Sequence, residues 1–413
     1  MSNDISQYLY TWNPKSSTNL SSVRIEDDSL RDGLQGAFVR KPAIAEKKEL
    51  LNLSSALGTQ TIMLGFPASS QLEFENCQQL IEHIVLEALP ITPRLLARAS
   101  IQDLEPIVVL NRQSPIEVWA DFFIASSPLR RYIEKWDSER MIQMIQTSGH
   151  FLRQQGTRFA ISIEDATRTP PDDLRQIIDT ALSVGAEILT ICDTVGETTP
   201  AGTTRLVNFV RSVIADSHQD AEIWWHGHND RGLSLANAIA AAEASADGIS
   251  GTFLGLGERT GNTPLEQFIF YLHSHGNQHF KLSQLVPYCK RLAELTSTDI
   301  PSHAPLVGKQ AFATCTGTHA AAILKARILG TQFEDLVFSS VPASLLGQRQ
   351  TLLVGPTSGR ANAQFALQEI GLEPNEENVS KVLSIARNMQ TWLYPDELPE
   401  KLEMQNASNN TLN

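Results

Sequence analysis

Phe159-Ala-Ile-Ser-Ile-Glu164 and Glu187-Ile-Leu-Thr-Ile-Cys-Asp193 are short apolar runs rich in β-branched residues, separated by a stretch of helical periodicity. Together they read as one strand, helix, strand unit of a parallel sheet. The alternation extends in both directions. Upstream lie Val23–Asp27, Thr61–Phe66, Arg94–Ala99 and Ile116–Ile124, and downstream Glu222–His228 and Gly248–Leu254. Eight strands alternating with helices predict a closed (β/α)8 barrel, a TIM barrel, of about 250 residues. The linking segments agree: Ala43–Leu57 sets Ala45, Leu50, Leu53 and Leu57 on one side of a helix, and Gly58 follows as its stop signal.

The chain has 413 residues, enough for one large barrel and a smaller appendage, and its 42% hydrophobic content can fill the core. From about Lys281 the alternation ends. The expected organisation is a barrel with an N-terminal extension over 1–280, a mainly helical region over 281–405 containing the turn-rich stretch Leu352–Asn362, and a polar, disordered tail over 406–413. With 19% charged residues and a formal net charge of -13, the protein is repelled by phosphate backbones and anionic lipid, so neither nucleic acid nor a membrane is an expected partner. Met1–Thr18 has no basic segment leading into an apolar one, and nothing downstream approaches the ~20 apolar residues of a membrane span; a cytoplasmic protein is expected. Cys77, Cys192, Cys289 and Cys315 are scattered and read as reduced thiols.

In such a barrel the functional groups follow the C-terminal ends of the strands. Strand one runs into Asp28-Ser-Leu-Arg-Asp-Gly-Leu-Gln35, where Asp32 can ligate a metal and Arg31 can act as an electrophilic clamp; standing alone, the motif reads sooner as an ordinary surface turn. Strand seven carries Trp224-Trp-His-Gly-His-Asn-Asp230, with His226 and His228 at i and i+2 of a strand and therefore on one side. Two histidines and a carboxylate suit a divalent ion such as Zn²⁺, Mn²⁺, Mg²⁺ or Co²⁺, with open positions for a chelating substrate. His273 and His275 repeat the spacing in a helical segment, where such positions diverge, and are assigned to solvent or packing. At the end of strand five, Ser162 and Glu164 share a face, so one can bind substrate while the other handles a proton; a rim salt bridge is the alternative for Glu164. Asp165 points the other way. After strand eight, Gly255-Leu-Gly-Glu-Arg-Thr-Gly-Asn262 could bring backbone amides against an anion such as the phosphates of a thioester carrier, or be a glycine turn without function. His319, by its chemistry alone, reads as a capping or packing residue.

Taken together, Arg31-Asp-Gly-Leu-Gln35, His226-Gly-His-Asn-Asp230 and Gly257-Glu-Arg-Thr-Gly-Asn262 resemble the DRE-TIM metallolyase superfamily over about Ile25–Asn362, most closely the 2-isopropylmalate synthase and homocitrate synthase branch. The resemblance implies a Claisen condensation. An acyl-CoA, usually acetyl-CoA, loses a methyl proton, attacks the carbonyl of a 2-oxo acid held at a divalent metal, and is hydrolysed. By similarity Asp32, His226 and His228 ligate the metal, Asn262 completes the shell through water, and Arg31 stabilises the developing oxyanion. Ser162, Glu164 and Thr194 line the acceptor site, and the loop with Gly255, Gly257, Glu258, Arg259 and Gly261 faces the acyl-CoA. Phe312-Ala-Thr-Cys-Thr-Gly-Thr-His319 matches the family's C-terminal catalytic segment, which nominates His319 as proton-transfer partner of Glu164 and implies a homodimer with shared sites. Three positions depart from the family's usual residues: Met63 stands for a glutamate, Arg130 for a histidine and Phe338 for a tyrosine. Met63 and Leu64 lead to the expectation of an acceptor with a hydrophobic or aromatic side chain, bordered by Arg130. Leucine-inhibited relatives carry a further regulatory domain, and only a short stretch follows Leu398 here, so feedback control through such a domain is not expected. A lyase of the 3-hydroxy-3-methylglutaryl-CoA type, running the reverse cleavage, is the nearest alternative, although the loop Gly255–Asn262 lacks the cysteine such lyases carry. A non-catalytic acyl-CoA or oxo-acid sensor is another.

Overall fold

The computed structural model describes residues 5–13 and 18–410, with side chains to residue 404. Its centre is a closed barrel of eight parallel strands in sequential order: β1 (Arg24–Asp27), β2 (Thr61–Gly65), β3 (Thr92–Arg98), β4 (Trp119–Ala125), β5 (Phe159–Glu164), β6 (Ile188–Asp193), β7 (Glu222–Gly227) and β8 (Gly248–Gly251), the last pairing with β1. The expected barrel is thus present. Helices α1 (Ile44–Leu57), α2 (Gln71–Leu86), α3 (Ile101–Gln113), α4 (Pro128–Glu134), α5 (Ser138–Gln154), α6 (Pro171–Ser183), α7 (Pro200–Ser217), α8 (Ser234–Glu243) and α9 (Leu265–Ser274) run between and after the strands. Side chains on α1 follow the predicted period, with Leu50 and Leu57 buried, and Gly58 closes the helix at φ 109°.

Two strands fall short of their apolar runs by more than one residue at an end, β4 at its start and β8 at its finish, for identifiable reasons. Ahead of β4, the Ile116 amide donates to Ser114 Oγ at 3.2 Å and the Val118 amide to Asn111 Oδ1 at 2.9 Å, so these groups are satisfied by side chains before the ladder begins. After β8, the Phe253 amide donates to Ser29 Oγ at 2.9 Å and Leu254 adopts φ 61°, turning the chain over the barrel mouth.

The described residues form two compact units, 18–299 and 5–13 with 300–410. The sequence reading ended the barrel at 280, but α10 (Leu285–Thr296) packs on α1, donates from the Tyr288 hydroxyl to Asp27 Oδ2 at 2.5 Å and ties Arg291 to Glu49 at 2.7 Å. That buried phenol and the apolar face behind it keep the helix with the barrel. The second unit holds α11 (Gly317–Leu329), α12 (Thr331–Leu336), α13 (Arg360–Glu369), α14 (Glu376–Arg387) and α15 (Leu398–Asn410), with a two-stranded parallel pair β9 (Ala313–Thr314) and β10 (Thr351–Leu352). Its own core gathers Val354, Ala366, Leu367, Val379, Val382 and Leu398. Where a disordered tail was expected from 406, the helix continues to Asn410, and 411–413 lie outside the described residues. Among the described residues no helix is long and apolar enough to cross a membrane.

Candidate active site

The turn after β1, the end of β7 and the loop after β8 meet at the C-terminal mouth of the barrel. Asp32, His226 and His228, all buried, present ligand atoms within 4.8 Å of one another. Asp32 Oδ2 lies 3.6 Å from His226 Nε2 and 3.8 Å from His228 Nε2, and the two imidazole nitrogens are 3.4 Å apart. The alternation predicted for β7 is what brings both rings to one side. Burial would raise the Asp32 carboxyl, but the charges of Arg31, His226 and His228 outweigh it and hold it down at about 2. Burial, with His228 beside it, pushes the His226 imidazole down to about 3, and burial lowers His228 as well. Near neutral pH the cluster is one carboxylate and two neutral imidazoles, the donor set a divalent cation requires. One more acceptor faces nothing: Asn262 donates from Nδ2 to the Leu256 carbonyl at 2.9 Å, whereas its buried Oδ1 has no hydrogen-bond partner among the described residues. These residues fit a divalent ion.

The glycine loop builds this cradle. Gly257 sits at φ 142°, and a Cβ there would fall 2.2 Å from Asn262 Nδ2 and 2.8 Å from Asp32 Oδ1. The next amide, of Glu258, donates to Asp32 Oδ1 at 3.3 Å. Gly261 is equally constrained, since its Cβ would overlap the Gly255 carbonyl, and Gly255 itself has φ 60°. Arg259 clamps the loop to its neighbours, pairing with Asp230 at 2.8 Å and donating to the Thr194 carbonyl at 2.6 Å. A Gly257→Ala variant is therefore expected to lose metal affinity by about 10- to 100-fold, as for other changes behind metal ligands. Calorimetric titration of Mn²⁺ into the metal-free protein measures this, and an unchanged affinity would show the close approach to be dispensable.

A cavity of about 310 Å³ opens beside the cluster. Arg31, Met63, Ser162, Glu164 and Thr194 line it, as do Glu258 and Arg259 of the loop. Arg31 is held by Asp28, accepting from Nε at 2.9 Å, and reaches Asp32 Oδ2 at 3.3 Å. Arg130 instead pairs with Glu164, Nε to Oε1 at 3.0 Å, and with Glu134 at 3.2 Å. Asp165 does point away, accepting from Arg168 at 2.7 Å, while its amide donates to the Thr194 hydroxyl at 2.8 Å. His273 and His275 lie at the end of α9, where the His275 ring packs 4.2 Å from Tyr271. His319 and Phe338 belong to the second compact unit, where His319 is exposed on α11 and stacks on Phe338 with ring centroids 4.0 Å apart.

The sequence reading missed the polar floor of the cavity. Glu26, Asp121, Thr190, Cys192 and Ser250 also line it, and Arg94, 1% exposed, lies against two of them: Nη1 is 2.8 Å from Glu26 and Nη2 is 2.6 Å from Asp121. Single charged residues inside otherwise apolar strand runs were the available signal.

A closed β/α barrel whose strand ends gather two histidines and an aspartate around one cavity defines a class, the β/α barrels with a candidate metal site at the C-terminal mouth. Residues 22–290 match the family described as HMGL-like, and the chain belongs to that family, in the branch of the 2-isopropylmalate and homocitrate synthases. The 2-isopropylmalate synthase of Oceanobacillus iheyensis is 31% identical over 366 residues, covering 87% of this chain and 68% of the relative. The homocitrate synthase AksA of Methanopyrus kandleri is 31% identical over 364 residues, 87% of this chain and 86% of the relative. Among solved structures, the hydroxymethylglutaryl-CoA lyase of Pseudomonas aeruginosa superposes with a TM-score of 0.57 at 20% identity, over 67% of this chain and 93% of that one, a likeness of fold.

Proposed function

We propose that the cavity performs a Claisen condensation between an acyl-CoA, acetyl-CoA first among them, and a 2-oxo acid, with hydrolysis to a 2-alkylmalate-type product. The chain is an acyl-CoA:2-oxo acid acyltransferase of the alkylmalate synthase type, a reading supported by relatives named 2-isopropylmalate synthase and homocitrate synthase. The observation that carries the reading is the Asp32, His226 and His228 cluster opening onto a cavity that also holds a guanidinium and a carboxylate. When bound there, a divalent cation (Zn²⁺, Mn²⁺, Mg²⁺ or Co²⁺) supplies a Lewis acid for the carbonyl of the acceptor.

The chain's own groups account for the rest. Arg31, fixed by Asp28, stabilises negative charge developing on the former keto oxygen. Glu164, oriented by Arg130, moves a proton as the acyl methyl group becomes a nucleophile, and His319 is its partner in that transfer. Asn262, whose Oδ1 has no hydrogen-bond partner among the described residues, would hold a water beside the bound cation. Ser162, Thr194 and Met63 border the acceptor, Arg130 acts through Glu164, and the loop from Gly255 through Gly257, Glu258, Arg259 and Gly261 faces the acyl-CoA. Water then cleaves the thioester, releasing the thiol of CoA. The reading includes a cytoplasmic homodimer in which the segment carrying His319 completes a shared site, supported by the match of Phe312–His319 to the synthase segment.

Thiol release from acetyl-CoA, followed with a thiol reagent across a panel of 2-oxo acids, tests this. Release is expected only when an oxo acid and a divalent metal are both present, and EDTA should abolish it. Formation of acetyl-CoA and an oxo acid from a 3-hydroxyacyl-CoA, with no thiol released, would point to the lyase reaction, and neither thiol release nor such cleavage under any condition to a binding protein.

A further inference from the structure

We propose that the acceptor's side chain ends in a hydrogen-bond donor, and that Asp121 and Thr190 in the cavity floor select it; the proposal rests on the reading of the cavity as a 2-oxo acid site. Met63 borders the same cavity, and by itself it favours an apolar arm. The floor argues differently. Ser162 gives its hydroxyl proton to Asp121 Oδ1 at 2.8 Å, so the serine oxygen can only accept from a ligand. Asp121 Oδ2 takes one hydrogen bond from Arg94 at 2.6 Å and keeps free lone pairs, as a carboxylate oxygen does. Thr190, 3% exposed and lining the cavity from β6, has no hydrogen-bond partner for Oγ1 among the described residues. Glu26 and Asp121 share the single guanidinium of Arg94, which leaves the floor rich in acceptors and poor in positive charge.

Three kinds of acceptor arm meet this floor differently. A saturated alkyl arm would cover Thr190 and Ser162 without satisfying them, which is costly in a buried site. A carboxylate arm would approach two carboxylates with only one paired cation between them. A hydroxyl arm donates to Asp121 or Ser162 and accepts from Thr190. Sites built to hydrogen-bond a substrate hydroxyl reject the analogue lacking it far more strongly than apolar pockets discriminate by size.

The matched probes are 4-hydroxy-2-oxobutanoate and 2-oxopentanoate, equal in length, with 2-oxoglutarate as the anionic arm. In thiol release with acetyl-CoA and Mn²⁺, kcat/KM is expected to be at least about tenfold higher for the hydroxylated acid than for the alkyl acid, with 2-oxoglutarate lowest. Asp121→Asn and, separately, the isosteric Thr190→Val are each expected to lower that ratio at least about fivefold, mainly through KM for the hydroxylated acid. An equal or higher kcat/KM for 2-oxopentanoate overturns the proposal, as does an unchanged ratio in both variants. Should no oxo acid support thiol release, the condensation reading fails by itself, and calorimetric titration of the two acids into the Mn²⁺-loaded protein still decides the floor. Tighter binding of the hydroxylated acid sustains the proposal, and equal or weaker binding ends it.

Discussion

A His226→Ala variant is expected to release CoA thiol with a kcat/KM about 10³-fold or more below that of the parent protein, while a His273→Ala variant stays within about twofold. The two histidines begin equal pairs in the sequence, each with a second histidine two residues on. His226 sits on β7, buried, with Nε2 3.6 Å from Asp32 and 3.4 Å from His228, and its Nδ1 lies 3.3 Å from Ser250 Oγ. On the proposed reading, removing it deletes one of three metal-ligating atoms and would leave Asp32 and His228 to hold a cation alone. A Lewis acid contributes several kcal/mol of charge stabilisation, and each 1.36 kcal/mol is tenfold in rate, which sets the expected loss. His273 stands near the end of α9, outside the cavity. Metal content after dialysis should fall with the His226 change only, and circular dichroism should report an intact barrel for both. Retention of a tenth of the activity by His226→Ala would remove the metal cluster from the mechanism.

The contrast between these pairs also marks what could be read without a structure. His226 and His228 were legible because a strand has period two, and that geometry is local. The strands themselves were legible as short apolar, β-branched runs between helical stretches, and they miss their expected limits most where amides find side-chain partners, as at Ile116 and Val118. The meeting of Glu26, Arg94 and Asp121 was not, because it comes from three different strands. The pairing register sets β3 against β4 with Leu96 opposite Asp121, and no spacing along the chain encodes that. The loop after β8 was visible as glycine-rich, yet its structural task depends on the sign of φ at Gly257 and on how near Asp32 comes, quantities composition does not carry. Extension of the barrel unit past 280 involves the apolar face of α10 and a buried phenol, Tyr288, meeting Asp27 from 261 residues away.

That three-strand group gives the largest expected effect on stability. Arg94 is 1% exposed, pairs with Glu26 and Asp121, and lies over the Trp224 ring at 5.1 Å. Arg94→Met keeps much of the volume but leaves two buried carboxyl groups without their cation. Breaking a buried pair on one side costs about 3–5 kcal/mol, and in a unit of this size that corresponds to a fall in Tm of roughly 10 °C. The loss should depend on pH in a definite direction. Burial already raises the Glu26 carboxyl above its usual range despite the lowering effect of Arg94, so removing Arg94 raises it further. A carboxyl whose folded-state value exceeds its unfolded one binds more protons folded than unfolded between the two, so stability falls as pH rises through that window. The variant should therefore lie closest to the parent near pH 5 and fall further below it toward pH 8, in chemical denaturation measured across that range. Replacing all three groups, Glu26→Leu, Arg94→Met and Asp121→Leu together, should recover most of the loss, because it is the unpaired charges and not the missing bridge that destabilise. If the single and triple variants unfold alike, or the gap to the parent does not widen with pH, the penalty comes from lost packing around Arg94 and the floor of the barrel is held by shape and not by charge.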